Sequence, residues 1–113
     1  IALGSQPVGH KERQGDSRTP EGVYRIESRN PRSRFHRSLR ISYPNAQDRK
    51  NARQKGLHPG GDIMIHGLPN GMGGVGAQHS RRDWTDGCIA VTNEEIEEIW
   101  RLVRNGTIIE IRP

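Results

Sequence analysis

The sequence predicts one small domain of mainly β or mixed α+β class. Three observations point there. The apolar residues gather in short runs rich in β-formers, at residues 23–27, 39–43, 62–66 and 107–111, which are strand lengths. Only two stretches have helical character. The 14 Gly and 7 Pro favour turns over long helices. With 113 residues there is room for one domain and not two. At 30% hydrophobic residues and a mean hydropathy of -0.90 the core must be small.

The elements follow in order. Ile1-Ala2-Leu3-Gly4 reads as the end of a strand rather than the start of a protein. A preceding strand or an export signal is therefore expected outside residues 1–113. Residues 5–20 are polar and turn-rich. Val23-Tyr24-Arg25-Ile26-Glu27 reads as a strand, and Asn30-Pro31 with the basic stretch after it as a loop. Leu39-Arg40-Ile41-Ser42-Tyr43 alternates apolar and polar, as a half-buried strand does, and Pro44 ends it. Residues 46–55 are polar helix formers stopped by Gly56, an exposed helix. Asp62-Ile63-Met64-Ile65-His66 is a short buried strand with His66 at its C-terminal end. Residues 67–87 hold six glycines and form a long loop fit to wall or cover a site.

Thr92 and Glu95 form a capping box, each satisfying a free N–H at a helix start. Ile96, Ile99, Trp100 and Val103 then share one helical face, with Trp100 in the core. Asn105-Gly106 stops that helix, and residues 107–111 form a last strand.

The net charge of +5 suggests an anionic partner. Much of it lies in Arg29, Arg32, Arg34, Arg37 and Arg40, and in Arg49, Lys50, Arg53 and Lys55. Aromatic residues make up only 4%, and the aromatic-rich strands of RNA-binding domains are missing, so nucleic acid is not the expected partner. No apolar run approaches the roughly 18–20 residues of a membrane span.

One cysteine excludes an intrachain disulfide. Its neighbours matter: Trp84-Thr85-Asp86-Gly87-Cys88-Ile89-Ala90-Val91 places it after a glycine. A glycine there lets the backbone turn sharply and admits another molecule. The N–H groups of Gly87 and Cys88 are thus candidates for an oxyanion hole. A free thiol needs a base or a positive field to ionise at neutral pH. Of the five histidines, His66 is the best base, because a strand end followed by glycine can face a cleft. The Gly67 carbonyl could orient it by accepting from the ring. An inert buried cysteine and a structural histidine fit the same spacing.

Ile65-His66-Gly67, then a glycine-rich loop, then Thr85-Asp86-Gly87-Cys88-Ile89, resembles the signature of YkuD-type L,D-transpeptidases. In those enzymes a histidine with a small residue after it precedes [Ser/Thr]-x-Gly-Cys-[Ile/Val]. The Thr19-Pro20-Glu21-Gly22 turn before a strand is also similar to a family feature. Asp83-Trp84-Thr85-Asp86-Gly87-Cys88 and Asn93-Glu94-Glu95-Ile96 most resemble the YafK/ErfK-like branch. The resemblance covers about residues 3–112.

The resemblance implies an L,D-transpeptidase-type, β-sandwich-like catalytic domain with two short helices. It implies cysteine-dependent acyl transfer on peptidoglycan stem peptides through a thioester, in the periplasm or cell envelope. Cys88 is then the nucleophile, His66 the base, Gly67 its orienting carbonyl and Gly87 an oxyanion donor. Arg81, Arg82, Thr85 and Trp84 are candidate substrate contacts, although Thr85 could instead shape the turn and Trp84 could simply pack beside it. A monomer is expected, with no cofactor and no metal, and carbapenem-type β-lactams are expected inhibitors. Hydrolysis of the same bonds, or of lipoprotein–peptidoglycan links, is an alternative outcome. Two positions depart from the family pattern. Asp86 stands where many members have histidine. Ala90 stands where many have an arginine suited to a substrate carboxylate; Arg81, Arg82 or Arg40 could replace it.

Two other classes compete. A non-catalytic basic module would grip a wall polymer or nucleic acid with steep salt dependence. A metal site built from His58, His66, His79 and Cys88 lacks the usual zinc spacings.

Overall fold

The computed structural model describes residues 1–72 and 85–113. It contains β1 (Gly22–Ser33), β2 (His36–Ile41), α1 (Ala46–Gln54), β3 (Met64–His66), β4 (Ile89–Ala90), α2 (Asn93–Leu102) and β5 (Ile108–Ile111). The strands form one five-stranded sheet in the order β4-β3-β2-β1-β5. All neighbours are antiparallel except β3 and β4, which are parallel. The architecture is mainly β with two helices, the class the sequence predicts. No helix among the described residues is long and apolar enough to cross a membrane.

Side-chain alternation places the core. Tyr24 and Ile26 of β1, Leu39 and Ile41 of β2, Ile65 of β3 and Ile89 of β4 face inward together. Ile96 of α2 closes over them, fully buried. The capping box expected at this helix is present: Thr92 Oγ1 accepts from Glu95 N–H, and the Glu95 carboxylate accepts from Thr92 N–H. Trp100, expected in the core, is only partly buried: it packs against the edge of the core, with the guanidinium groups of Arg29 and Arg37 over its ring at 4.1 and 4.8 Å.

β1 is longer than the sequence suggested and runs through Asn30-Pro31, which was read as a loop. The register slips between Asn30 and Ser33, so Pro31 sits in a bulge where a missing N–H costs no ladder bond. Ala2 and Gly4, expected to end a strand, make only isolated bridges to Ala90 and Thr85.

The polar segment before β1 is held by its own charges. Lys11 is buried and its ammonium lies 3.0 Å from Asp16 Oδ1. Burial alone would raise the Asp16 pKa. Hydrogen bonds from Glu12 N–H, the Lys11 ammonium, Arg18 N–H and Arg13 N–H outweigh it and hold the carboxyl down at about 2. Asp48 does similar work beneath β1, accepting from Tyr24 Oη at 2.8 Å and meeting His10 Nε2 at 2.9 Å.

The Asp16 carboxyl titrates at 3.8 when unperturbed and at about 2 in the fold. Its ionised form therefore stabilises the native state at any pH above the ordinary value, by about 2 kcal/mol. That contribution should fade as pH falls through the folded value. Urea unfolding of wild type and Asp16→Asn should show a large stability gap at pH 6 that narrows toward pH 2; a gap independent of pH would contradict this account.

Candidate active site

The sheet register brings the two halves of the motif together. Ile65 pairs with Ile89 and His66 with Ala90 in the parallel ladder. Continuing that register by one residue sets Cys88 beside Met64. There Met64 N–H donates to Cys88 Sγ at 3.4 Å, and the thiol donates to the Asp62 carbonyl, also at 3.4 Å. His66 stands two residues further along the adjacent strand.

The turn before Cys88 is tightly specified. Gly87 has φ +134, a conformation side chains avoid, and a Cβ there would come within 2.7 Å of the Arg18 carbonyl. Thr85 is buried and uses both sides of its hydroxyl: it donates to the Cys88 carbonyl at 2.7 Å and accepts from Gly87 N–H at 3.1 Å. Two expectations change accordingly. Thr85, a candidate substrate contact, is a turn-shaping residue here. The Gly87 N–H, a candidate oxyanion donor, is already given to Thr85. The Cys88 N–H takes no partner among the described residues.

His66 is buried at the end of β3, between Phe35 and the chain that follows. The Phe35 ring stacks on the imidazole at 4.2 Å between centroids. Nδ1 lies 2.7 Å from the Gly67 carbonyl, the contact foreseen from the sequence. A carbonyl only accepts, so this contact needs the proton on Nδ1 and makes Nε2 the basic nitrogen of the neutral ring. Gly67 backs onto Asn93 Oδ1 and the Phe35 carbonyl, which a Cβ would meet at 2.7 and 2.9 Å. No larger residue fits after the histidine.

The imidazole and the thiol do not share a hydrogen bond: the partners of Sγ are the two backbone groups of Asp62 and Met64. His66 lines a cleft of about 620 Å³ with Phe35, Ser38, Arg40 and Met64. Cys88 lines a second cleft of about 480 Å³ with Lys11, Ser17, Gly61 and Asp86. Asp62 borders both. Burial pushes the Cys88 thiol up; the Met64 N–H opposes this, the Asp62 and Asp86 carboxylates add to it, and Lys11 opposes it. The resting sulfur is thus a protonated thiol rather than half of an ion pair.

Arg81, Arg82 and Trp84, the other candidate substrate contacts, lie outside the described residues, as do His79 and most of the glycine-rich loop. Among the described residues no three side chains of metal-ligating type converge. Sequence reasoning missed Asp62, Met64 and Phe35 as neighbours of the pair. Phe35 is the only phenylalanine of the chain, a signal that was available; the roles of the Asp62 carbonyl and the Met64 N–H are main-chain and leave no trace in composition.

The parallel edge pair thus presents a His-Gly strand end beside a Gly-Cys turn. The model of the YkuD family, the L,D-transpeptidase catalytic domain, matches residues 1–111, and the chain belongs to that family. It is 32% identical over 103 residues to "Putative L,D-transpeptidase YafK" of Escherichia coli (strain K12), a match covering 89% of this chain and 34% of the relative. The helical cell shape determining protein Pgp2 of Campylobacter jejuni superposes with a TM-score of 0.71 at 29% identity, over 100% of this chain and 37% of that one. Bd1075 of Bdellovibrio bacteriovorus gives 0.62 at 25% identity, over 90% and 35%. The chain therefore spans about a third of the length of these relatives.

Two outcomes follow from the geometry. Iodoacetamide should alkylate Cys88 of the free protein more slowly at pH 8 than it alkylates glutathione, with a rate still climbing above the ordinary thiol pKa of about 8.5. Asp86→Asn removes a carboxylate that disfavours the thiolate and should raise the pH 8 rate by about twofold. A free-protein rate already on its plateau at pH 7 would contradict the protonated resting thiol.

Proposed function

We propose that this domain catalyses cysteine-dependent acyl transfer on the L,D bonds of peptidoglycan stem peptides. The observation that carries the reading is the register of β3 and β4, which sets Cys88 and His66 on neighbouring strands with one residue between their rungs. The family, and the likeness to a helical cell shape determining protein, supply the substrate class.

In the proposed reaction the thiol leaves its two backbone partners by rotating about its side-chain bond. Nε2 of His66 takes the proton from Sγ, while the Gly67 carbonyl holds Nδ1–H and steadies the ring. The thiolate attacks the carbonyl carbon of the diamino acid residue in the stem. The Cys88 N–H stabilises the oxyanion. The C–N bond breaks, the leaving D-amino acid takes the proton back from the imidazolium, and a thioester remains on Cys88. An amine of a second stem attacks that thioester in transpeptidation; water does so in hydrolysis. A raised thiol pKa suits this order of events, because the sulfur ionises only when a base and an acyl group meet it. The domain works in this reading as a monomer of the periplasm or cell envelope, and a carbapenem, as an acyl donor, acylates Cys88.

Incubation with defined tetrapeptide and pentapeptide muropeptides, followed by mass analysis, tests the reading. Loss of the terminal D-amino acid, with or without a new cross-link, is expected from wild type. Cys88→Ala should abolish it, and His66→Gln should reduce it by about 10²–10⁴-fold. A carbapenem should add its mass to wild type and not to Cys88→Ala. Turnover retained in Cys88→Ala would refute the assignment.

A further inference from the structure

Ala90 stands where many family members carry an arginine. It is fully buried, and its backbone pairs with Ala2 on one side and His66 on the other. Among the described residues, several arginines are committed to structure. Arg29 donates to the carbonyls of Trp100 and Val103, Arg37 meets Glu97 at 3.0 Å, and Arg25 donates to the Gly106 carbonyl. Lys11 is buried against Asp16.

Arg40 differs in three respects. It pairs with Met64 across β2 and β3, two rungs from the Ser38–His66 pair, so it leaves the sheet on the same face as the imidazole. It lines the 620 Å³ cleft that His66 lines, with Arg32 and Arg34 beside it. Its ion-pair partner is exchangeable: Asp62 lies at 2.6 Å, with the two side chains 41% and 77% exposed. A pair so exposed contributes about 1 kcal/mol at most, so an incoming carboxylate can displace Asp62 at little cost. A guanidinium takes a carboxylate through two parallel N–H groups, which fixes orientation as well as charge.

Asp62 connects that exchange to the thiol. It is a non-glycine residue at φ 56, and its carbonyl is the acceptor of the Cys88 thiol. The same residue therefore holds Arg40 through its side chain and the resting sulfur through its main chain.

We infer that Arg40 is the receptor for a carboxylate of the stem peptide, with the Asp62 carboxylate as its resting occupant. Entry of an acidic peptide into the His66 cleft exchanges one carboxylate for the other. Asp62 is then untethered, and its carbonyl relaxes its hold on the thiol proton as the acyl group arrives. Arg32 and Arg34 add positive field at the mouth of the cleft. The proposal deepens the acyl-transfer reading and rests on it for the identity of the peptide.

Binding separates the two. Calorimetry on the Cys88→Ala protein uses a wall tetrapeptide, its C-terminal amide, and the tetrapeptide amidated on a side-chain carboxylate. One amide should bind about tenfold more weakly than the free acid, and which one identifies the carboxylate. Adding Arg40→Ala should erase that discrimination, Arg40→Lys should restore part of it, and Asp62→Asn should tighten the free acid severalfold. Thermal unfolding of each variant checks that the domain is intact, and the Asp62→Asn gain cannot arise from misfolding. Equal affinity for all three peptides, no saturable binding, or discrimination retained in Arg40→Ala overturns the proposal. Discrimination on Cys88→Ala alongside a wild type that leaves muropeptides uncleaved would uphold the receptor and remove the acyl-transfer reading instead.

Discussion

The two rungs of parallel ladder between β3 and β4 are the constraint on which the site depends. Each strand alone is two or three residues long and carries little stability. Paired, they join the buried side chains Ile65 and Ile89 to the core and hold the Cys88 turn beside Met64 and Asp62. A parallel pair cannot be closed by a tight turn and needs a long connection. Residues 67–88 make that connection in the chain, so the length of the segment between the two strands has a topological reason.

The turn entering β4 is locked from three sides. Thr85 bonds its own loop twice, Leu3 and Ser5 bond the Thr85 backbone, and the Arg18 carbonyl packs against Gly87. The segment before β1 is itself pinned by Lys11 and Asp16. The position of Cys88 is thus set by residues far away in sequence, and the polar N-terminal segment is part of the site's scaffold. The cost falls on the thiol: enclosed by backbone and two carboxylates, it rests protonated.

Elements with strong local signals were legible in the sequence. The α2 cap follows from Thr92 and Glu95, and α1 from its run of polar helix formers before Gly56. His66 at a strand end and the need for glycine at 67 and 87 were also readable, because small residues at fixed offsets leave a pattern. What could not be read was set by tertiary packing. Pro31 continues a strand because a bulge absorbs it. The Gly87 N–H goes to Thr85 rather than to a ligand because a buried hydroxyl competes for it. The basic composition was misleading in part: Arg29 and Arg37 serve as lids on Trp100 rather than as a surface for an anion. Arg40 and Asp62, separated by the end of β2, α1 and the turns around it, become partners only when β2 and β3 pair.

The account turns on whether the imidazole of His66 takes the proton of a thiol that rests elsewhere. The pH dependence of kcat/KM on a tetrapeptide muropeptide measures this directly. An acidic limb is predicted for wild type, and its disappearance in His66→Gln while Cys88 remains essential. An unchanged limb in His66→Gln, or a rate that rises only through the thiol range, would contradict it.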